Sequence, residues 1–172
     1  KKALEIFKVD LKNIIDAIPE DNNLTNIRDK AMILLGWWSA CRRSEIVNLE
    51  VGDVKFFEKD EYITIYLKYS KIDRDGEGET KILSYDTKSK YCPGVALKKW
   101  LDVSMIDNGP LFYKIRKVKK DEDVDSPSRV EKYINKKKGK KISLSDAWFV
   151  NILKKRAKAG GIEEEKFKKI SG

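Results

Sequence analysis

The sequence predicts a mixed fold, mainly α-helical, with a small antiparallel sheet of about three strands set among the helices. Apolar residues recur at helical spacing over residues 9–18, 27–38, 93–101 and 144–157. Between residues 54 and 85 the period switches to alternation, in runs rich in Val, Ile, Tyr and Phe. Two of those runs flank a polar, glycine-containing turn, the pattern of a hairpin.

The elements follow in order. Lys1 to Phe7 reads as an extended entry. Val9 to Ile18 is a short helix with Val9, Leu11, Ile14, Ile15 and Ile18 apolar, and Pro19 stops it. Glu20 to Leu24 is a polar turn. The next helix turns Ile27, Ala31, Leu34, Leu35 and Trp38 to the core. Thr25 suits its N-cap, and Asp29 lies in its first turns, where a negative charge complements the helix dipole. Near Ala40 the pattern breaks into Cys41-Arg42-Arg43-Ser44-Glu45, followed by a short amphipathic turn through Ile46, Val47 and Leu49.

Val54 to Phe57, Tyr62 to Leu67 and Thr80 to Tyr85 are the strands, and Ser70 to Gly78 is the turn between the last two. Pro93 opens a helix through Val95, Leu97, Trp100 and Leu101, because proline suits a first helical position. Asn108-Gly109-Pro110 breaks the chain, and Leu111-Phe112-Tyr113 is a short apolar segment. Arg116 to Lys141 reads as a mobile or loosely helical insertion ending in a lysine run, Lys136 to Lys141. Ser143 to Asp146 starts a helix as a capping box would. That helix carries Ala147, Val150, Leu153 and Ala157 inward and Lys154, Lys155, Arg156 and Lys158 outward, and ends at Gly160-Gly161. Ile162 to Gly172 is a tail.

Composition narrows the function. At 172 residues the chain is one domain or most of one. The formal charge of +9 favours a polyanionic partner, nucleic acid first and an acidic membrane surface second. No apolar run approaches membrane-spanning length. Two cysteines without paired spacing argue against a disulfide framework and for a reducing compartment. With no histidine in the chain, His-based zinc sites and Ser-His-Asp or Cys-His chemistry are excluded within it. No metal or other cofactor is called for.

Two residues carry candidate chemistry. Arg42 lies between two apolar segments, so its stem should be packed and its head directed along a groove. Glu45, three residues on, can hold the guanidinium. A fixed guanidinium is a donor fork shaped for phosphate or carboxylate; the plainer reading is a structural Arg–Glu pair. Lys71, where the second strand gives way to the turn, can reach into a groove and act as a general acid if nearby cations lower its pKa. The plainer reading there is a solvated lysine.

The order of these residues resembles the tyrosine recombinases, the family that includes the phage integrases. A hydrophobic helix, then small-small-x-Arg-x-Ser-Glu, an apolar turn, Leu and a following Asp-Val is similar to that family's first active-site box. Ala40 stands where glycine is usual. Ser70-Lys71-Ile72-Asp73 with Gly76 and Gly78 resembles the hairpin of its phage-type members, with Ile72 in place of threonine. Leu144 to Ile162, then Phe167 and Ile170-Ser171-Gly172, is similar to the approach to its third box, His-x-x-Arg.

The resemblance implies DNA strand breakage and rejoining through a 3′-phosphotyrosyl link, with Arg42 on the scissile phosphate, Glu45 supporting it and Lys71 protonating the 5′-hydroxyl. It implies that residues 1–172 are a partial catalytic domain, inactive alone, with the His-x-x-Arg box and the tyrosine expected after Gly172 and a DNA-binding domain before Lys1. Duplex DNA is the implied partner and the cytoplasm, at the nucleoid, the implied location. The intact protein would act as a tetramer on DNA, and this portion would be monomeric. Arg43, Lys68, Arg74, Lys154, Lys155 and Arg156 are the candidate DNA contacts. The alternative is a catalytically silent DNA-binding or regulatory module on the same fold.

Overall fold

A computed structural model describes residues 8–68, 77–115 and 144–163. The Lys1–Phe7 entry, the hairpin tip with Lys71 and Arg74, the Arg116–Lys141 insertion and the end of the tail lie outside the described residues. The helices are α1 (Lys8–Asp16), α2 (Leu24–Ser39), α3 (Arg43–Asn48), α4 (Pro93–Ser104) and α5 (Asp146–Ala159). The strands β1 (Val54–Phe57), β2 (Tyr62–Leu67) and β3 (Glu79–Ser84) form one antiparallel sheet in the order β1-β2-β3. The fold is therefore mixed and mainly α with a three-stranded antiparallel sheet, as the periodicities predict.

Register explains which sheet face is buried. Ile63 pairs with Leu83, Ile65 with Lys81 and Leu67 with Glu79. Alternation puts these pairs on one face, where Ile63, Ile65, Leu67 and Leu83 join the core. Tyr62, Thr64 and Tyr66 point the other way with Ile82, which is exposed. At the far end of β3, α4 starts in close contact with the strand: a Cβ on Gly94 would stand 2.6 Å from the Ser84 carbonyl oxygen. Trp100, fully buried, donates from its indole to the Leu111 carbonyl at 2.8 Å and stacks near Phe112. The Leu111–Tyr113 segment is thus a core element.

Four local expectations are corrected. The N-cap of α2 is Asn23, whose side chain accepts from the Thr25 amide, rather than Thr25. Val9 is exposed, because the buried stripe of α1 runs through Leu11, Ile14 and Ile15. Trp38 is 46% exposed, its indole N–H turned to the Tyr91 carbonyl instead of the core. The buried face of α5 is Phe149, Val150, Ile152, Arg156 and Ala157, so Ala147 points outward.

The largest departure is a charged cluster inside the protein. Arg28 and Asp29 are 2% and 1% exposed. The Arg28 guanidinium donates to Asp29 Oδ1 through Nε and Nη2, at 3.1 and 2.6 Å, and to the Tyr113 carbonyl through Nη1 at 2.8 Å. Arg156 Nε donates to Asp29 Oδ2 at 2.8 Å, and its Nη2 to Asn26 Oδ1 at 2.7 Å. Asn26 in turn donates to Asp21. Asp29 is therefore the hub of a buried Arg–Asp–Arg cluster joining α2, α5 and the Leu111–Tyr113 segment. It does not act as a dipole-compensating surface charge.

Tyr113 supplies a pH test of this packing. Burial, with Asp107 and Glu50 adding to it, pushes its phenol up to about 12. A phenol raised in the folded state contributes stability that is present below the ordinary tyrosine range and lost as pH rises from about 10 towards 12. The urea midpoint of the wild type should fall over that window more than that of Tyr113→Phe. Parallel curves would contradict the assignment.

Candidate phosphate-binding site

The chain direction at the end of α2 is set by Ala40, which adopts φ 52° and ψ 24° in the left-handed region. That conformation is strained for any residue with a Cβ, by about 1–2 kcal/mol. It gives a physical reason for a glycine at this position. Ala40→Gly should gain up to about 1 kcal/mol in folding stability, after the added freedom of glycine in the unfolded chain is subtracted. A lowered denaturation midpoint would refute this account of the turn.

After that turn α3 begins, with Arg42 as its N-cap. Glu45 holds Arg42 with both carboxylate oxygens. Oε2 accepts from the Arg42 backbone N–H at 2.7 Å, and Oε1 accepts from guanidinium Nη1 at 3.0 Å. The Glu45 side chain is only 11% exposed, whereas that of Arg42 is 45% exposed. The anchor is mostly enclosed and the arginine side chain reaches solvent. Among the described residues Glu45 is the sole ion-pair partner of Arg42, so no other described carboxylate takes up the rest of the donor fork.

Cys41, beside Arg42, is not a nucleophile in waiting. Burial is the main force pushing its thiol up, with Glu45 and Glu79 adding to it, and Ser39 and Lys81 opposing. It therefore stays protonated and neutral. The same charges show what the sequence reading missed. Lys81 and Glu79 form an ion pair on the core-side face of β3. The Lys81 amine is raised first by its bond to Glu79, and the fields of Cys41 and Glu45 act on it too. Lys81 is thus within electrostatic reach of Cys41 and Glu45. The available signal was the alternation of Glu79, Lys81 and Leu83 onto one strand face.

Arg156 is corrected as a candidate DNA contact: its guanidinium is buried and committed to Asp29 and Asn26. Lys155 is exposed on α5 and Lys154 half-buried. Arg43 opens α3 and is half-buried. Lys68, at the end of β2, lies against two carboxylates, 2.7 Å from Glu50 Oε2 and 3.2 Å from Asp53 Oδ1. Lys71 and Arg74 lie outside the described residues. The structure therefore brings Arg42 and Glu45 together and sets Arg156 apart. Among the described residues no group of His, Cys, Asp and Glu could hold a metal ion, and no helix is long and apolar enough to cross a membrane.

A helical body with a three-stranded antiparallel sheet is the catalytic-domain-like fold of the tyrosine recombinases, the family to which this chain belongs by its similarity to a curated recombinase. It is 33% identical over 148 residues to the integrase/recombinase xerD homolog of Selenomonas ruminantium, a match that takes in 86% of this chain and 38% of that relative. The chain thus spans well under half of the relative's length. No family model matches it.

Proposed function

We propose that this chain supplies one phosphate clamp and the hairpin general acid of a site-specific DNA recombinase. In the intact protein a tyrosine hydroxyl attacks the scissile phosphodiester. A bond forms from the tyrosine oxygen to phosphorus, the bond to the 5′-oxygen breaks, and a 3′-phosphotyrosyl link and a free 5′-hydroxyl result. Reversal with another strand completes the exchange, without ATP or a metal.

Arg42 is assigned to the non-bridging oxygens, where negative charge grows in the transition state. A donor already held in place there stabilises the transition state more than the ground state. The observation that supports this role is the double grip of Glu45 on Arg42: one partner, itself only 11% exposed, fixes backbone and guanidinium, and no other described residue pairs with the fork. Lys71 is assigned to protonate the departing 5′-oxygen. Arg43, Arg74, Lys154 and Lys155 are the remaining candidate contacts to DNA phosphates, which would make affinity fall with salt. Residues 1–172 are read as part of a catalytic domain whose tyrosine and second arginine come from elsewhere in the gene product.

Trapping tests the reading. The full-length gene product, incubated with its nicked recombination site, should yield a denaturant-resistant adduct joined through a 3′-phosphotyrosine. Tight, site-specific DNA binding with no adduct would instead identify the silent DNA-binding module.

A further inference from the structure

Ala40 and Cys41 separate Ser39, the last residue of α2, from Arg42, the N-cap of α3. The link leaves a helix that is packed in the core, with Ala31, Leu34 and Leu35 wholly buried. It enters a helix that is docked there too, through Ile46 and Val47. Between the two the chain passes through the left-handed Ala40, at φ 52°. A non-glycine residue persists in that conformation only where its surroundings hold it.

Side chains from the two flanking helices supply that hold. The Ser39 hydroxyl oxygen accepts from the Cys41 backbone N–H at 3.3 Å, directly across Ala40. The Cys41 thiol donates back to the Ser39 carbonyl at 3.8 Å, so residues 39 and 41 are joined twice. The next amide, that of Arg42, is taken by Glu45 Oε2 at 2.7 Å. Successive N–H groups of the link are thus accepted by Ser39 of α2 and by Glu45 of α3, and Glu45 grips the guanidinium as well. Ser39 is only 4% exposed, so water has little access to stand in for its hydroxyl. The neighbouring Trp38 ties the end of α2 from outside. Its indole donates to the Tyr91 carbonyl at 3.1 Å, and the Tyr91 hydroxyl donates to Asp16 of α1 at 3.0 Å.

We infer that Ser39 is a positioning residue, whose hydroxyl holds the Ala40 turn in the conformation that delivers Arg42 to the reacting phosphate. This rests on the proposed role of Arg42 as phosphate clamp. Glu45 sets the guanidinium relative to α3, and Ser39 sets the start of the link relative to α2. The buried hydroxyl acts through Arg42 and not on DNA. Errors of about 1 Å in placing a catalytic group cost on the order of 10²-fold in rate, so a turn loosened by a fraction of that should cost about tenfold.

The test measures single-turnover adduct formation by the full-length protein on two duplexes. One is natural, and the other has a methyl group in place of a non-bridging oxygen of the scissile phosphate. The methylated phosphate carries no charge for a guanidinium to offset, so its rate does not depend on where Arg42 stands. Two pairs carry the comparison: wild type against Ser39→Ala, and Ser39→Thr against Ser39→Val. Threonine and valine share a β-branched shape and differ by the hydroxyl, so any effect of added volume is common to both. On the natural duplex, the member of each pair without the hydroxyl should react about tenfold more slowly. On the methylated duplex the members of each pair should react equally, and DNA affinity should not differ within a pair. Equal rates within the pairs on the natural duplex, or the same lag on both duplexes, would show that the hydroxyl does not position Arg42 and that Ser39 serves the fold alone. Arg42→Ala is run beside them. If its own penalty is equal on both duplexes, the clamp reading fails, and the role of Ser39 with it.

Discussion

Asp29→Ala should cost this protein about 3–5 kcal/mol of folding stability, the size seen when one partner of a buried ion pair is removed and the other charge is stranded. Here two charges would be stranded. Arg28 and Arg156 both turn their guanidiniums on the Asp29 carboxylate, from opposite oxygens, in a region closed to water. Arg28 would keep its bond to the Tyr113 carbonyl and Arg156 its bond to Asn26, but neither neutralises a charge. Arg156→Lys should also be poorly tolerated, because a lysine cannot reach Asp29 Oδ2 and Asn26 Oδ1 with the geometry of a planar fork. Urea unfolding checks both. A shift in Asp29→Ala below about 1 kcal/mol, the range of a surface pair, would mean that the cluster is hydrated and does not lock α5 to α2.

Arg42→Ala should have the largest functional effect. Removing one pre-placed donor from a developing oxyanion costs on the order of 10²–10³ in rate. Strand cleavage by the full-length protein should fall by at least that factor. DNA affinity should change little, since one guanidinium is a small part of a phosphate-contact surface. Its side chain is 45% exposed and its partner Glu45 lies in the short helix α3, so the fold should survive. Arg42→Lys should recover little, because an ammonium cannot keep the Glu45 contact and still present a fork to the phosphate. Normal cleavage rates in Arg42→Ala would remove the clamp from the mechanism.

Much of the fold was legible because local pattern and tertiary packing agree. β1 and β2 fall on the predicted runs, and α4 begins at its proline. Glu45 lies one turn from Arg42, and the structure joins them by that spacing. What could not be read were contacts between residues far apart in the chain. Arg156 stands among exposed-looking lysines, yet it shares a stripe with Phe149 and Ile152, three and four residues apart along one helix face. Only its distant partner Asp29 explains why a guanidinium belongs there. Lys68 looked like a free cation until Glu50 and Asp53, from an earlier turn, were found beside it. The left-handed Ala40 was hidden for a different reason: the residue type argues against the conformation, and the surrounding turn imposes it.

The central claim is that Arg42 neutralises charge growing on the phosphate, and replacing one non-bridging oxygen of the scissile phosphate by a methyl group tests it most directly. That duplex carries no charge for a guanidinium to offset. Adduct formation by the full-length protein should then be nearly as fast with Arg42→Ala as with arginine, although the two differ by about 10²-fold or more on the natural phosphate. An equal penalty on both duplexes would mean that Arg42 serves the fold or the docking of DNA rather than the reacting phosphate.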